Sequence, residues 1–216
     1  MTTSWNSSQR FDRMASEWDE NPVRKALADA VASAITETVK PRTSMQAMEF
    51  GCGTGLVTLA LAPCLGLITA LDTSEEMIAV LRKKTAILGI GNVQPLVADL
   101  FGNSPAAPLP ENLDLIFSSM TLHHIADTGA LLAGLFRMLR PGGIIALADL
   151  DLEDGFFHDD ASEKVHPGFE RGALQAMLQK AGFGRISFST AHEISKTNRA
   201  GRQATYRIFL VTASKE

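Results

Sequence analysis

The feature that most constrains the fold is a regular alternation between short apolar runs and longer segments with helical spacing of apolar residues. The apolar runs have the length of buried strands and occupy 45–50, 66–71, 92–98, 113–117 and 144–148. The segments between them span a dozen or more residues, as a crossover between parallel strands requires. We therefore predict a mostly parallel sheet covered by helices on both faces.

The alternation stops after residue 149, where an acidic, irregular segment begins. Beyond it the sequence predicts a helix over 169–180 and strands over 184–193 and 204–213. Because no helix separates these two strands, they are expected to pair antiparallel. Pro95 removes a backbone donor from the third run and predicts an edge strand there. The predicted fold class is α/β: a Rossmann-like, seven-stranded, mostly parallel sheet with the last strand antiparallel.

Length and composition exclude several classes of protein. A chain of 216 residues accommodates one α/β domain and is too short for two ordinary ones. Cys52 and Cys64 have neither CxxC spacing nor a nearby histidine pair, so no metal or redox motif is predicted. We expect a cytoplasmic protein, because neither a signal peptide nor an apolar run of membrane-spanning length is visible. The net charge of −4 and scattered basic residues predict no nucleic-acid-binding face.

The first forty residues predict a helical cap. Asn21 and Pro22 have the pattern of a helix start, and Pro41 that of its end. Trp5 and Trp18 precede this helix. They either close over a bound ligand or pack on the edge of the sheet.

A glycine turn follows the first strand. Gly51, Gly53 and Gly55 are spaced GxGxG, and glycine allows a ligand to approach the backbone without an intervening Cβ atom. The turn leads into a helix whose first N–H groups could meet a carboxylate or a phosphate. A dinucleotide turn would be GxGxxG, and Leu56 occupies its last position. A tight turn without a ligand remains the alternative.

Polar residues follow the other predicted strands, at the edge where open parallel sheets bind ligands. Asp72 could accept both hydroxyls of a ribose or cap the next helix, for which Thr73 and Glu76 have capping-box spacing. Asp99 could accept from an adenine amino group, or it is an ordinary turn residue. These positions together predict an adenosyl ligand more strongly than the glycine turn does alone.

With these motifs the chain resembles the class I S-adenosylmethionine-dependent methyltransferases. The resemblance is to a small-molecule group that includes the quinone-biosynthesis C-methyltransferases, and it covers most of residues 11–148. Its motifs are FDRMA at 11–15, MEFGCGTG at 48–55, LDTS at 71–74, VADL at 97–100, LDLI at 113–116, LHHI at 122–125 and RMLRPGG at 137–143. It implies one methyltransferase domain over 1–216, with a helical cap (1–40), a cofactor-binding core (41–150), an acidic flap (151–168) and a C-terminal helix and strand pair (169–216).

The resemblance also implies that S-adenosylmethionine is the cofactor and S-adenosylhomocysteine the product. In such an arrangement Glu49 and the glycine turn hold the methionine end, Asp72 holds the ribose, and Asp99 flanks the adenine. The implied cofactor contacts are Trp18, Glu49, Gly51, Cys52, Gly53, Asp72, Thr73, Met77, Asp99, Leu100, Ser118 and Ser119.

Methyl transfer is an in-line displacement, and a hydroxyl, an amine or an acidic carbon must lose a proton to a base. "LHHI" follows the fourth strand, so His123 is the candidate catalytic base, with a scaffold role in the loop as the alternative. The acidic segment offers oxygen ligands. Metal-dependent relatives, however, have an acid where this chain has Ser118 and Ser119, so we predict metal-independent transfer and a solvated flap.

The predicted function is methyl transfer to a small-molecule acceptor, without nucleic acid or a membrane span. Two alternatives stay open: a non-catalytic S-adenosylmethionine-binding protein, and a nicotinamide-dependent oxidoreductase, which Leu56 disfavours. The sequence does not decide between a monomer and a homodimer.

Overall fold

The computed structural model describes residues 8–100 and 109–216. Trp5 lies outside the described residues. The strands are β1 (Gln46–Phe50), β2 (Leu67–Asp72), β3 (Val93–Val97), β4 (Leu113–Ser119), β5 (Leu139–Leu150), β6 (Phe183–Thr197) and β7 (Gln203–Lys215). The helices are α1 (Ser8–Met14), α2 (Pro22–Val39), α3 (Leu56–Leu61), α4 (Glu75–Leu88), α5 (Thr128–Met138) and α6 (Arg171–Ala181).

The strands form one seven-stranded sheet in the order β3-β2-β1-β4-β5-β7-β6. β1 to β5 pair in parallel, whereas β7 runs antiparallel to both β5 and β6. β3 is an edge strand, as Pro95 predicts, and Pro95 lies opposite Ala70 of β2. The predicted fold class is confirmed, including the antiparallel last strand.

Helices cover both faces of the sheet through two separate clusters of buried side chains. One cluster joins α2, α3 and α4 to the sheet, and its members include Ile35, Leu61 and Leu81. The other joins α5 and α6 to the opposite face through Leu132 and Leu178. Central strands covered in this way are apolar throughout, which is why they appear in the sequence as continuous runs.

The start of α2 is fixed by Asn21 and Pro22, as predicted. The Asn21 side chain accepts hydrogen bonds from the backbone N–H groups of Val23 and Arg24, at 2.9 and 3.3 Å. Pro22 occupies the first helical turn, where its missing N–H group costs no hydrogen bond. This start brings the first turns of α2 to the carboxyl edge of the sheet.

The capping-box prediction for α4 was wrong by one residue. Ser74, not Thr73, caps the helix, and its hydroxyl accepts from the Met77 N–H at 3.1 Å. Asp72 still belongs to β2, and its carboxylate accepts from the Ser74 N–H at 2.9 Å. That local turn uses one more residue before the helix begins.

The segment after β5 is exposed at many positions and partly covered at others. Asp149 belongs to β5 and is fully buried. His158 and Glu163, further along, are mostly covered, with side chains 15% and 13% exposed. In the described part of the chain, no helix is both long and apolar enough to cross a membrane.

Candidate functional site

A cavity of about 520 Å³ opens at the carboxyl ends of β1 to β4. Eleven of the twelve predicted cofactor residues line it: Trp18, Glu49, Gly51, Cys52, Gly53, Asp72, Thr73, Met77, Asp99, Leu100 and Ser119. Ser118 is not in the lining, because its buried hydroxyl donates to the Phe50 carbonyl at 2.7 Å. The candidate base His123 lines the same cavity.

The three glycines of the turn have different surroundings. All three have positive φ angles, between 54° and 80°. A Cβ atom on Gly51 would overlap the side chain of Thr121, and one on Gly55 would overlap Leu81. A Cβ atom on Gly53 would meet nothing closer than 4.0 Å. Packing therefore explains Gly51 and Gly55 without a ligand, whereas a Cβ atom on Gly53 would only touch Met77 and Trp18 at 4.0 Å.

Asp72 joins the glycine turn to the end of β2. One carboxylate oxygen accepts from the Gly53 N–H at 2.7 Å, and the other accepts from the Ser74 N–H at 2.9 Å. Burial raises the pKa of this carboxyl group above its ordinary value. Since Ser74 is the cap of α4, the alternative role of Asp72 as helix cap is excluded.

Glu49 is a buried carboxyl group at the wall of the cavity, only 1% exposed. Its pKa is raised to about 8, chiefly by burial; a hydrogen bond from the Thr58 hydroxyl opposes the rise, and the charge of Asp72 adds to it. A carboxyl group in this state favours a cation beside it, because the cation offsets the cost of burying the negative charge.

The N-terminal segment lies over the cavity and is hydrogen-bonded to the loops beneath it. Asp19 accepts from the Thr54 hydroxyl at 2.5 Å and from Lys84 at 2.7 Å. Asp12 accepts from the Ser74 hydroxyl at 2.6 Å. Trp18, between these two carboxylates, lines the cavity. Of the two alternatives for Trp18, this position in the lining favours closure over a ligand.

Asp149 is a site residue that the sequence reasoning missed. The Nδ1 atom of His123 lies 2.7 Å from one Asp149 oxygen, and the His123 backbone N–H donates to the other at 3.1 Å. Both residues are buried, at 1% and 0% exposed. Burial alone would raise the Asp149 pKa, but the interactions with His123 lower it below its ordinary value. Asp149 is therefore ionised, which fixes the His123 proton on Nδ1.

Other histidines surround this pair. The rings of His124 and His158 lie 4.2 and 5.0 Å from the His123 ring. Burial, followed by the charge of His123, lowers the His124 pKa to about 3, so this imidazole is neutral. His166 contacts the loop from outside, with its Nε2 atom 2.9 Å from the Ile125 carbonyl oxygen.

Within residues 8–100 and 109–216, no group of three or more His, Cys, Asp or Glu side chains is arranged to hold a metal ion. Two acidic side chains after β5 form ion pairs: Asp151 with Arg171 at 2.7 Å, and Asp159 with Lys196 at 2.8 Å.

Comparisons with known proteins find similarity to methyltransferases. The model of the methyltransferase domain family matches residues 48–147. The biotin biosynthesis bifunctional protein BioCD of Bordetella avium is 38% identical over 153 residues, which are 68% of this chain and only 30% of that protein. An uncharacterised methyltransferase of Mycobacterium bovis, Mb0092, is 30% identical over 149 residues, 67% of this chain and 68% of that one.

A solved structure shows the same fold. The crystal structure of a SAM-dependent methyltransferase from Aquifex aeolicus superposes with a TM-score of 0.69 at 21% identity. The match covers 97% of this chain and 99% of that one. The two proteins therefore share one fold over nearly their whole length.

Proposed function

This chain belongs to the class I S-adenosylmethionine-dependent methyltransferases, and we propose that it methylates a hydroxyl group of a small-molecule acceptor, with His123 as the general base. S-adenosylmethionine is the methyl donor. It supplies a methyl group bound to a positively charged sulfur.

The contact between His123 and Asp149 is the observation that supports this proposal. Because Nδ1 lies 2.7 Å from an Asp149 oxygen and donates to it, the proposed proton acceptor is the other ring nitrogen, Nε2, in the neutral form of His123. His123 lines the cavity with a side chain that is only 2% exposed, and we propose that Nε2 is the atom that meets a group bound there. A neutral imidazole held in one tautomer and one orientation is suited to accept a proton.

The nature of the base favours a hydroxyl acceptor. A hydroxyl group becomes a strong nucleophile only as its proton leaves, whereas a carboxylate is already ionised near neutral pH. In the proposed step the hydroxyl proton passes to Nε2 while the oxygen–methyl bond forms and the sulfur–methyl bond breaks. The sulfur keeps the bonding electrons and becomes neutral, so charge and atoms balance without a metal ion.

The donor-side residues fit the cofactor by their chemistry. The Gly53 backbone at the cavity wall and the buried carboxyl group of Glu49 suit the amino-acid end, since Glu49 would meet the ammonium group. Asp72 has carboxylate oxygens at the cavity wall that suit the ribose hydroxyls. The adenine would then lie toward Met77 and Asp99.

The remaining wall suits an acceptor with an apolar body. Leu27 and Ala28 of α2, Met120 after β4, Phe157 and Ile194 line it. These side chains would exclude water from the reacting atoms and contribute to binding by burial of apolar surface. The acceptor we propose therefore combines an apolar skeleton with one acidic hydroxyl, as in a phenol or an enol.

The proposal is tested by a panel of phenols, enols, carboxylic acids, amines and thiols. Release of S-adenosylhomocysteine measures turnover, and mass spectrometry of the product locates the added methyl group. We expect turnover of phenols or enols, with the methyl group on oxygen. Turnover confined to amines, thiols or carboxylic acids would contradict the proposed acceptor.

We expect cofactor binding to depend on pH through Glu49. Its pKa of about 8 means that it is protonated at neutral pH, and binding of an ammonium group favours its ionised form. Binding then releases a proton, so affinity rises by up to roughly tenfold per pH unit between about pH 6 and about pH 7.5. Calorimetry with S-adenosylhomocysteine in two buffers of different ionisation enthalpy measures both the affinity and the proton release.

Two controls isolate the Glu49 effect. Glu49→Gln should remove both the pH dependence and the proton release. The ligand 5′-methylthioadenosine lacks the ammonium group and should bind the unaltered protein with little dependence on pH. A pH dependence that persists in Glu49→Gln would assign the titration to another group.

A further inference from the structure

One cation of the cavity differs from the others in its partners. Arg10, Arg24 and Lys196 all line the cavity. Arg10 forms an ion pair with Glu163, and Lys196 forms one with Asp159 at 2.8 Å. In the described parts of the chain, Arg24 forms no ion pair with any carboxylate.

Arg24 is nevertheless held in a defined position. Its guanidinium carbon lies 3.8 Å from the centroid of the Trp18 ring, and one of its N–H groups donates to the Trp18 carbonyl at 3.4 Å. A guanidinium group has five N–H donors, so most of them remain for another acceptor. A stacked, oriented guanidinium is suited to the two-point recognition of a carboxylate.

The backbone N–H groups at the N-terminus of α2 are not free to bind an anion by themselves. The backbone N–H groups of Val23 and Arg24 donate to the Asn21 side chain. An anion near these residues would therefore be bound by the guanidinium group. The site depends on the side chain of Arg24 and can be tested by changing that side chain alone.

The electrostatic setting favours an anion. Burial, and then the positive charge of Arg10, lower the pKa of Arg24 below its ordinary value. Two guanidinium groups thus face one partly apolar cavity, and Glu163 neutralises only the one on Arg10. A ligand carboxylate beside Arg24 would offset the cost of keeping this second charge out of water.

We propose that Arg24 binds a carboxylate group of a ligand in this cavity. The position favours the amino-acid carboxylate of the cofactor, because the Trp18 ring under Arg24 reaches the glycine turn. Its Nε1 atom lies 4.0 Å from the place that a Cβ atom on Gly53 would occupy. The inference rests on the proposed function only in requiring an adenosyl ligand, since a carboxylate on the acceptor is the other possible source.

The test compares two ligands that differ in one group. S-adenosylhomocysteine carries the carboxylate, and S-adenosyl-3-thiopropylamine lacks it. We expect Arg24→Gln to weaken binding of the first by roughly ten- to hundredfold and to leave binding of the second nearly unchanged. Arg24→Lys should restore part of the affinity, because it keeps the charge and loses the planar fork. Calorimetry gives the affinities, and thermal unfolding verifies that each variant is folded.

A second arm covers the acceptor. If Arg24→Gln leaves both affinities unchanged, binding of benzoate and hexanoate to the protein loaded with S-adenosylhomocysteine is measured. Loss of that binding in Arg24→Gln would assign the site to the acceptor carboxylate. Equal affinities in all of these measurements would overturn the proposal and leave Arg24 as a packing partner of Trp18.

A matched control removes the same charge from the same region. Arg13 lies on α1, is exposed and is not part of the cavity lining, so Arg13→Gln should change none of these affinities. All measurements are of binding and need no turnover. Failure of hydroxyl methylation would therefore contradict the proposed function and leave the result for Arg24 intact.

Discussion

Replacing His123 by alanine is expected to lower kcat for a hydroxyl acceptor by about 10²- to 10⁴-fold. The variant lacks the imidazole that Asp149 orients, so no base is in place to accept the hydroxyl proton as the oxygen attacks. The affinity for S-adenosylhomocysteine should change little, because His123 is not among the proposed cofactor contacts. Steady-state kinetics with a phenol that the protein accepts, together with calorimetry, measures both quantities.

Asp149→Asn tests the same pair through the positioning residue. An asparagine amide can donate to Nδ1, which would move the imidazole proton to Nε2 and remove the lone pair that faces the acceptor. We expect kcat to fall while KM and the affinity for S-adenosylhomocysteine stay similar. A purely structural role would instead lower the thermal stability and change all three quantities together.

Acceptor acidity provides a sharper readout for both variants. A phenol with electron-withdrawing substituents is already ionised near neutral pH and needs no base. The loss of activity in His123→Ala and in Asp149→Asn should therefore shrink as the acceptor becomes more acidic. His192→Ala, on β6 outside the cavity lining, is the matched control and should retain full activity. Full activity of His123→Ala with a weakly acidic phenol would remove this residue as the base.

The architecture could be predicted because it depends on local and repeated signals. Strand length, crossover length and the position of Pro95 each restrict the sheet, and they agree with one another. The direction of individual side chains was harder to predict. Successive residues of a strand point to opposite faces, but at the end of a strand this rule does not decide which residues line the cavity, since Glu49 and Phe50 both do. The structure has Ser119 in the lining and the Ser118 hydroxyl on the Phe50 carbonyl.

Contacts between distant parts of the chain left no local signal. His123 and Asp149 are 26 residues apart, and the sequence associated Asp149 with the acidic residues that follow it. Only the parallel pairing of β4 with β5 brings the end of β5 beside the loop after β4. Arg24 likewise has no local signal that distinguishes it from other residues in the first turn of a helix, because its stacking on the Trp18 ring depends on the fold. A search for isolated charged residues near predicted strand ends would have found Asp149 but not Arg24.

Asp72→Ala is expected to weaken cofactor binding by more than about tenfold. The carboxylate has two roles that the substitution removes together: the proposed hydrogen bonds with the ribose, and the bond from the Gly53 N–H at 2.7 Å. Hydrogen bonds to a charged acceptor typically contribute about 1.5–3 kcal/mol each, so loss of one is sufficient for the expected change. Calorimetry with S-adenosylhomocysteine measures the effect, and Asp29→Ala, an exposed change on α2, is the control.

The two roles of Asp72 can be separated by the choice of ligand. The unaltered protein should prefer 5′-methylthioadenosine over its 2′-deoxy form, because only the first offers the full pair of ribose hydroxyls. Asp72→Ala should lose that preference if the carboxylate accepts from the ribose, whereas mere loosening of the glycine turn would weaken both ligands equally and keep the preference. An unchanged affinity for S-adenosylhomocysteine would mean that the ribose lies elsewhere. If Asp72→Ala binds both ligands more weakly but still prefers 5′-methylthioadenosine, the carboxylate does not contact the ribose. Its role would then be to hold the Gly53 N–H and so the shape of the glycine turn.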